Sequence, residues 1–325
     1  MAKLVYSALK KIAPPLIRYS TIPFIRHIPR KSAAIIAIHD YESKLLYDCL
    51  AKLKENYRVI PLSVLTNDLL DDRLDSGSVA ITLDDGILIQ VRTIAQILEQ
   101  LSLPATFFIC PDFLDSDHVY WWEEVRLLLS FTSKMNIQFD GNFYSLKNKY
   151  ERFSAFKKIN KGFYSKSQEE IESRLVQLHK ACDIGREDLP VHHSIRMAKT
   201  EDITRLMKTG LLEIGSHSMD HPWLALQTEE EIIYQVGGSK KRLELLFGKV
   251  SECFCYPYGP RESVNQKTLE VAGRFYKSAV TAQYGRVRSG DNPLLLKRVF
   301  LMPGENYSVW EAKINGVWKQ VEQYL

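Results

Sequence analysis

Short apolar runs alternate with longer amphipathic stretches along most of the chain, starting at Ala33. The short runs predict buried strands, and the longer stretches carry apolar residues at helical spacing. Seven strands are predicted, over Ala33–Ile38, Val79–Leu83, Ala105–Cys110, Leu212–Ser216, Cys253–Tyr256, Ser278–Thr281 and Leu294–Leu301. Helices are predicted at about Lys44–Asn56, Ile87–Leu101, Thr228–Phe247, Glu262–Gly273 and Tyr307–Val321. This alternation predicts an α/β fold, a distorted or incomplete (β/α) barrel of about seven parallel strands.

The alternation breaks between Asp117 and Thr200. A helix is predicted to open at Tyr120-Trp121-Trp122, and a second one is predicted around Gln168–Cys182, with Lys- and Tyr-rich polar sequence between them. We therefore predict a mostly helical insertion over about 117–200, without a hydrophobic core of its own.

Composition narrows the class of protein. The 325 residues are 45% hydrophobic and 25% charged, as in ordinary globular proteins. No run reaches the roughly 18 apolar residues that a membrane-spanning helix needs. The five cysteines are scattered, which predicts reduced structural thiols in a cytoplasmic protein.

The positive charge is concentrated near the start of the sequence. Residues 1–39 contain seven Lys or Arg and no acid, whereas the whole chain has a net charge of +4. The remainder is therefore not basic, which argues against nucleic-acid binding. Residues 1–31 do not have the pattern of a signal peptide, and their interleaved basic and bulky apolar residues predict peripheral contact with the inner face of the cytoplasmic membrane. A helix packed on the catalytic domain 32–325, or a frayed tail, is the alternative.

Polar side chains follow four of the predicted strands. In chain order these are His39-Asp40, Asp84-Asp85-Gly86, His217 with His221, and Tyr256-Pro257-Tyr258-Gly259. In a parallel barrel the carboxyl ends of the strands lie on one face, where such folds build their active sites. We therefore expect these side chains to meet at one site.

Two of these segments have the residue types of a metal centre. Adjacent carboxylates at the end of a buried strand are costly unless a cation or hydrogen bonds neutralise them, so Asp84 and Asp85 indicate a site. His217 and His221 are four residues apart and share a face if the segment forms a single helical turn. Two imidazoles and one carboxylate are a common ligand set for Zn²⁺ and similar ions. The alternatives are an ordinary Asp-Gly turn and an exposed histidine pair.

These segments resemble the motifs of the polysaccharide deacetylase family, the NodB-homology domain of carbohydrate esterase family 4. Thr82-Leu83-Asp84-Asp85-Gly86 is similar to T-F-D-D-G, Ala105-Thr106-Phe107-Phe108 to A-T-F-F, His217-Ser218-x-x-His221 to H-[ST]-x-x-H, and Tyr256-Pro257-Tyr258-Gly259 to the end of R-x-P-Y-G. The resemblance covers roughly residues 33–301, interrupted by the insertion.

The resemblance implies a role for each matching residue. Asp85, His217 and His221 would bind a divalent metal, Zn²⁺ in the first place, with Co²⁺, Mn²⁺ and Ni²⁺ as alternatives. Asp84 would be the general base, and the backbone N–H of Tyr258 would stabilise the oxyanion of the tetrahedral intermediate.

Several residues are candidates for contact with the substrate. Pro257 belongs to the third motif, and Trp223 follows His221-Pro222 directly, so we expect both at the rim of the site. Trp121 and Trp122 also suit stacking on a sugar ring, although each of these tryptophans fits a core position equally well.

The sequence departs from the family pattern in two places that matter for catalysis. Cys255 stands where the family has the Arg that orients the base, and Arg298 stands where the late Leu-x-His motif would supply the general acid. The D-x-W-type fourth motif is also absent. Arg298 is a candidate partner for Asp84, unless it is an ordinary surface arginine.

The general acid has no clear position in the sequence. His39 is the candidate, and a capping role beside Asp40 is its alternative. His192-His193, in the insertion, would act as a lid or form a solvated pair.

The leading hypothesis is a metal-dependent N-deacetylase that removes acetyl from an N-acetylated sugar. The resemblance favours a nucleotide- or polyprenyl-linked precursor in the assembly of bacterial lipopolysaccharide or another surface polysaccharide. One alternative is a non-catalytic module that binds a glycan or a metal. Another is a hydrolase of a different amide, such as a formyl or cyclic amide.

Overall fold

The computed structural model describes residues 31–38, 43–192 and 195–317. The predicted membrane-binding segment 1–31, apart from Lys31, lies outside these ranges, and so do His39, Asp40 and His193. Within the described ranges, no helix has the length and apolar character that crossing a bilayer requires.

Seven parallel strands close into a barrel. The sheet runs in the order β1, β11, β9, β8, β7, β4, β3, and β3 pairs with β1 to complete the circle. The barrel strands are β1 Ser32–Ile38, β3 Ser78–Leu83, β4 Ala105–Ile109, β7 Leu212–Ser216, β8 Cys253–Cys255, β9 Ser278–Tyr284 and β11 Leu296–Leu301, with β2 Arg58–Val59 and β10 Val287–Arg288 at the margins. The predicted barrel of seven parallel strands is confirmed.

The barrel strands are rich in apolar residues because both of their faces are buried, and β1 is apolar from Ala33 to Ile38. In β1, Ala34, Ile36 and Ile38 pack in the layer between the barrel and the outer helices. Ala33 and Ile35 belong to a second cluster on the opposite face, together with apolar side chains of β8 and β9. This alternation follows from the two-residue period of a strand.

The predicted helices are present where the structure describes them, and the structure adds helices over Leu62–Leu70, Lys149–Lys161 and Thr200–Met207 that were not predicted. They are α1 Ser43–Asn56, α2 Leu62–Leu70, α3 Ala95–Gln100, α4 Trp121–Phe131, α5 Lys149–Lys161, α6 Gln168–Cys182, α7 Thr200–Met207, α8 Glu229–Ile233, α9 Ser239–Phe247, α10 Gln266–Phe275 and α11 Tyr307–Ile314. Single π-helical turns at Gln90–Ile94 and Tyr234–Gly238 precede α3 and α9. The helix predicted from Glu262 begins later, at Gln266, because the side chain of Asn265 caps it.

The insertion between β4 and α7 is mostly helical, as predicted, and contains α4, α5 and α6. It also holds a hairpin, β5 Asn136–Phe139 and β6 Asn142–Ser145, that the sequence reading missed. Asp140 and Gly141 form the turn with positive φ angles of 53° and 71°, so the Asp-Gly pair was the available signal.

The expectation that the insertion has no core of its own was wrong. Its buried apolar side chains form a separate cluster, which includes Val125, Leu128, Ile159, Leu175 and Leu178. These residues are spread over three helices, so their contacts depend on how the helices pack.

Candidate active site

The carboxyl ends of the barrel strands bring the predicted polar residues together. Asp84 and Asp85 follow β3, His217 follows β7, and Arg298 lies within β11. All four line one cleft of about 570 Å³. Each of their side chains is less than 10% exposed, so charges within the cleft interact with little screening by water.

Asp85, His217 and His221 form a compact group of potential metal ligands. The Asp85 Oδ1 atom lies 3.5 Å from Nε2 of His217 and 3.7 Å from Nε2 of His221. Two ligands of one tetrahedral ion with bonds of about 2.1 Å lie about 3.4 Å apart, so these separations fit a shared cation. The one oxygen and two nitrogen donors also match what Zn²⁺ and similar ions prefer.

Hydrogen bonding orients His217 toward a shared cation and His221 is neutral, but His217 would have to lose a proton to bind one. His217 Nδ1 lies 2.8 Å from the carbonyl oxygen of Cys255, an acceptor that keeps the proton on Nδ1 and leaves Nε2 facing Asp85. Burial, together with His217, lowers the pKa of His221 to about 3, so His221 is neutral at neutral pH. Burial opposes the charged form of His217, but Cys255 and Asp85 outweigh it and raise its pKa well above the ordinary value.

A second group of potential ligands overlaps the first. Asp84, His217 and Cys255 also offer donor atoms within 4.8 Å of one another. Asp84 is already engaged by a guanidinium, and burial raises the pKa of the Cys255 thiol, which opposes the thiolate that a metal needs. The group of Asp85, His217 and His221 is therefore the better metal site.

The backbone at this site is held in an uncommon conformation. Asp85, Ser218, His221 and Tyr258 have positive φ angles of 77°, 68°, 60° and 62°. Such angles are uncommon for residues other than glycine, and they concentrate at functional sites where the surrounding fold enforces them. The signal for this strain in the sequence is weak, since the four residues are themselves not glycine and only Gly86 and Gly259 beside them are of the type that favours such angles.

The segment between the two histidines forms a loop, so the conditional prediction of a helical turn was wrong. Positive φ at Ser218 and His221 is incompatible with that turn. The Ser218 hydroxyl accepts a hydrogen bond from the His221 N–H (3.0 Å), and Gln235 Oε1 accepts from the N–H of Met219 (3.0 Å) and that of Asp220 (3.3 Å). Gln235 therefore positions the loop. Its role could not be predicted, because it lies within a stretch that only predicts a helix.

Arg298 supplies the positive charge that Cys255 lacks. Its guanidinium donates two parallel hydrogen bonds to Asp84, at 2.8 and 2.7 Å, and its Nη2 lies 3.4 Å from the Cys255 sulfur. Further hydrogen bonds to Thr281 and Thr82 fix its orientation. Burial alone would lower the pKa of Arg298, but Asp84 outweighs it and keeps the guanidinium charged. The charge that the family places on the third motif is here provided by β11.

Aromatic side chains from the insertion form a wall beside the candidate metal ligands. The Tyr120 hydroxyl donates to the backbone oxygen of Asp85 (3.0 Å), and Trp122 stacks on Tyr120 at 4.3 Å between ring centroids. The Tyr258 ring lies 4.6 Å from that of His221 and accepts a hydrogen bond from Trp121 at its hydroxyl (3.0 Å). The insertion therefore completes one side of the cleft.

The expected contact of Trp223 and Pro257 with a substrate stays a prediction. Neither is among the described residues that line the cleft. Trp223 is 6% exposed and packs against Tyr258, whose ring separates it from the ligands. Of the three candidate tryptophans, Trp122 is the one that lines the cleft.

The described residues do not include His39, the candidate for the general acid. His39 and His193 lie outside the described residues, and His192 is exposed and absent from the described cleft wall. Tyr258 lines the cleft with its ring, and the role of its backbone N–H stays a prediction.

Replacing His217 with alanine is expected to abolish stoichiometric Zn²⁺ binding, because it removes one of three ligands. Metal analysis after dialysis checks this, with about one ion per chain expected in the unmodified protein. Alanine in place of the exposed His192 is the matched control and should keep its metal. Full occupancy in the His217→Ala protein would mean that the ligand set is wrong.

Comparisons with known proteins agree with this geometry. A sequence model of the family described as polysaccharide deacetylase matches residues 167–276, which include the His217 and Tyr258 motifs but not Asp84-Asp85. No curated relative matches the sequence.

Solved structures share the fold. The deacetylase PplD of Streptococcus pyogenes, solved with acetate, is 14% identical, with a TM-score of 0.57 over 88% of this chain and 99% of that one. A polysaccharide deacetylase of Bacillus cereus is 16% identical, with a TM-score of 0.56 over 87% and 69%. IcaB of Ammonifex degensii is 16% identical, with a TM-score of 0.56 over 86% and 97%. The resemblance to the polysaccharide deacetylase family, with its NodB-homology fold, is thereby confirmed.

Proposed function

We propose that the protein is a metal-dependent hydrolase that removes the acetyl group from an N-acetylated sugar. The proposal rests on one observation: two groups of side chains lie in the same cleft. The first is the candidate metal centre of Asp85, His217 and His221, and the second is the carboxylate of Asp84 paired with Arg298.

The chain's own residues would divide the work of amide hydrolysis. A divalent cation, when bound, would polarise the acetyl carbonyl and lower the pKa of a water molecule. Asp84, held in place by Arg298, would take one proton as the water oxygen bonds to the carbonyl carbon. The N–H of Tyr258 would stabilise the oxyanion. The C–N bond then breaks, and the amine nitrogen receives a proton, for which His39 stays the candidate donor.

The cleft suits a sugar in size and in chemistry. Its volume of about 570 Å³ lies in the usual range for small-molecule sites. Trp122, Phe156 and Tyr164 offer aromatic faces for the apolar side of a sugar ring, while Gln90 and Asn160 offer polar groups for its hydroxyls. The side-chain oxygen of Asn160 is buried without a hydrogen-bond partner among the described residues.

A finer part of the proposal concerns the group that carries the sugar and the cellular compartment of the enzyme. We infer a cytoplasmic enzyme that acts on a nucleotide- or polyprenyl-linked precursor of a bacterial surface polysaccharide, such as lipopolysaccharide. This inference is supported by the basic leader and by the motif resemblance, and residues 1–31 are its proposed membrane contact.

An acetate-release screen tests the proposal. Purified protein is loaded with Zn²⁺, Co²⁺, Mn²⁺ or Ni²⁺ and offered nucleotide-linked and lipid-linked N-acetylhexosamines, beside N-formyl and cyclic-amide analogues. Acetate released only with metal supports the deacetylase. Release of formate alone, or opening of the cyclic amide alone, would identify a different amide as the substrate. Metal binding without any turnover would favour the non-catalytic module, which the missing late histidine makes the main rival.

A further inference from the structure

The outer surface of the insertion combines exposed aromatic rings with a high density of positive charge. Residues 141–166 contain seven Lys or Arg and a single acid, Glu151. Phe143, Tyr150 and Phe153 in the same segment are 72%, 63% and 57% exposed. Large aromatic side chains that are this exposed, in a segment this basic, indicate a surface that binds a partner.

Helix α5 places its exposed aromatic and basic residues on one face. Ala155 and Ile159 point into the core of the insertion and are 3% and 1% exposed. Tyr150, Phe153 and Lys157 lie on the opposite side of the helix, at spacings of three and four residues. Lys161 continues the row one turn further on and is also exposed.

Basic residues of α5 complete this face. Lys149 precedes Tyr150 and is exposed, as are Lys157 and Lys161. We name the surface formed by Lys149, Tyr150, Phe153, Lys157 and Lys161 the basic aromatic face.

Two lysines of this face lie over its rings. The ammonium of Lys149 is 5.3 Å from the ring centroid of Tyr150, and that of Lys157 is 4.6 Å from the ring centroid of Phe153. Positive charge and exposed aromatic surface therefore occupy one patch, which suits an anionic bilayer whose headgroups meet the charges and whose boundary with the acyl chains accepts the rings. An acidic polysaccharide would meet the charges but offers no apolar layer for the two exposed rings.

We propose that the basic aromatic face docks on an anionic phospholipid bilayer. The face borders the cleft, because Phe156 and Asn160 of the same helix line the cleft wall. Phe153 lies one turn before Phe156, so the cleft would open close to the membrane surface. Docking itself requires neither metal nor turnover, and its test is therefore independent of the proposed activity.

A fluorescent label at position 153 tests this docking. The five native cysteines are buried, so an environment-sensitive dye would react selectively with a Phe153→Cys variant. We expect its emission to shift to the blue with vesicles of phosphatidylcholine and phosphatidylglycerol at about three to one, but not with phosphatidylcholine alone. Leu245→Cys is the matched control, since Leu245 in α9 is 73% exposed, and its label should not respond.

Reversing two charges of the face gives a second readout. Lys157→Glu with Lys161→Glu should raise the lipid concentration for half-maximal shift by on the order of tenfold, because each basic residue adds to attraction by anionic lipid. Lys241→Glu with Lys249→Glu, outside the face, should change it little. The proposal is overturned if anionic vesicles do not shift the emission of the label at position 153, or if they shift both labels equally. It is also overturned if the reversal at 157 and 161 leaves the half-maximal lipid concentration unchanged, or if only an acidic polysaccharide such as alginate shifts the emission.

Discussion

Asparagine in place of Asp84 is expected to lower kcat for acetate release by about 10²- to 10⁴-fold, the usual contribution of a general base. The amide has nearly the shape of the carboxylate but cannot accept the proton of the attacking water. Bound metal should stay near one ion per chain, because the proposed ligand is Asp85. The check is steady-state kinetics together with metal analysis on the same preparation.

A matched control separates this effect from a general loss of negative charge. Glu123 lines the same cleft and is paired with Arg126, so Glu123→Gln removes a carboxylate that the proposed mechanism does not use. We expect kcat to change far less in that variant. Near-normal turnover in Asp84→Asn would rule out Asp84 as the base.

Alanine in place of Arg298 is expected to cost both stability and activity. Arg298 and Asp84 are 1% and 4% exposed, so the substitution leaves a carboxylate buried without its charged partner. Breaking such a pair typically lowers the free energy of unfolding by about 3–5 kcal/mol. The orientation of Asp84 is lost as well, so kcat should fall steeply. Denaturant unfolding and acetate release measure the two effects.

Returning the charge to the third motif should rescue this variant. The Cys255 sulfur lies 3.4 Å from Arg298 Nη2, so an arginine at position 255 would start next to the space that Arg298→Ala empties. We therefore expect Cys255→Arg to restore stability and turnover in the Arg298→Ala background.

A buried arginine far from the cleft serves as the control for this rescue. Arg286 is 7% exposed and donates to Ser32 and to backbone carbonyl groups. Arg286→Ala should also destabilise the fold, but Cys255→Arg should not repair it. If Cys255→Arg helps both variants equally, or neither, Arg298 does not replace the arginine of the motif.

The barrel could be predicted from the sequence because each barrel strand carries its own signal. A run such as Ala33–Ile38 is apolar at every position, and burial on both faces is the reason. The meeting of Asp84, Asp85 and His217 at one edge could be predicted because residues that end parallel strands lie at the same end of the sheet. The order of these residues along the chain was therefore enough to predict the barrel and the edge at which they meet.

Features that depend on contacts between distant segments could not be predicted in the same way. The hydrogen bond from Tyr120 to Asp85 joins the insertion to the barrel, and no periodic pattern encodes it. The packing of Trp223 against Tyr258 likewise depends on a loop whose shape no sequence pattern gives. The core of the insertion was missed because its members come from three helices, the hairpin and the loops between them, and their contacts depend on how these segments pack.

The central claim is that one divalent cation is bound by Asp85, His217 and His221. Anomalous diffraction from crystals grown with Zn²⁺ tests it most directly. The account predicts a single strong peak at about 2.0–2.2 Å from the Asp85 carboxylate and from Nε2 of both histidines. A peak held by Asp84, His217 and Cys255 instead, or no peak at the ends of β3 and β7, would contradict it.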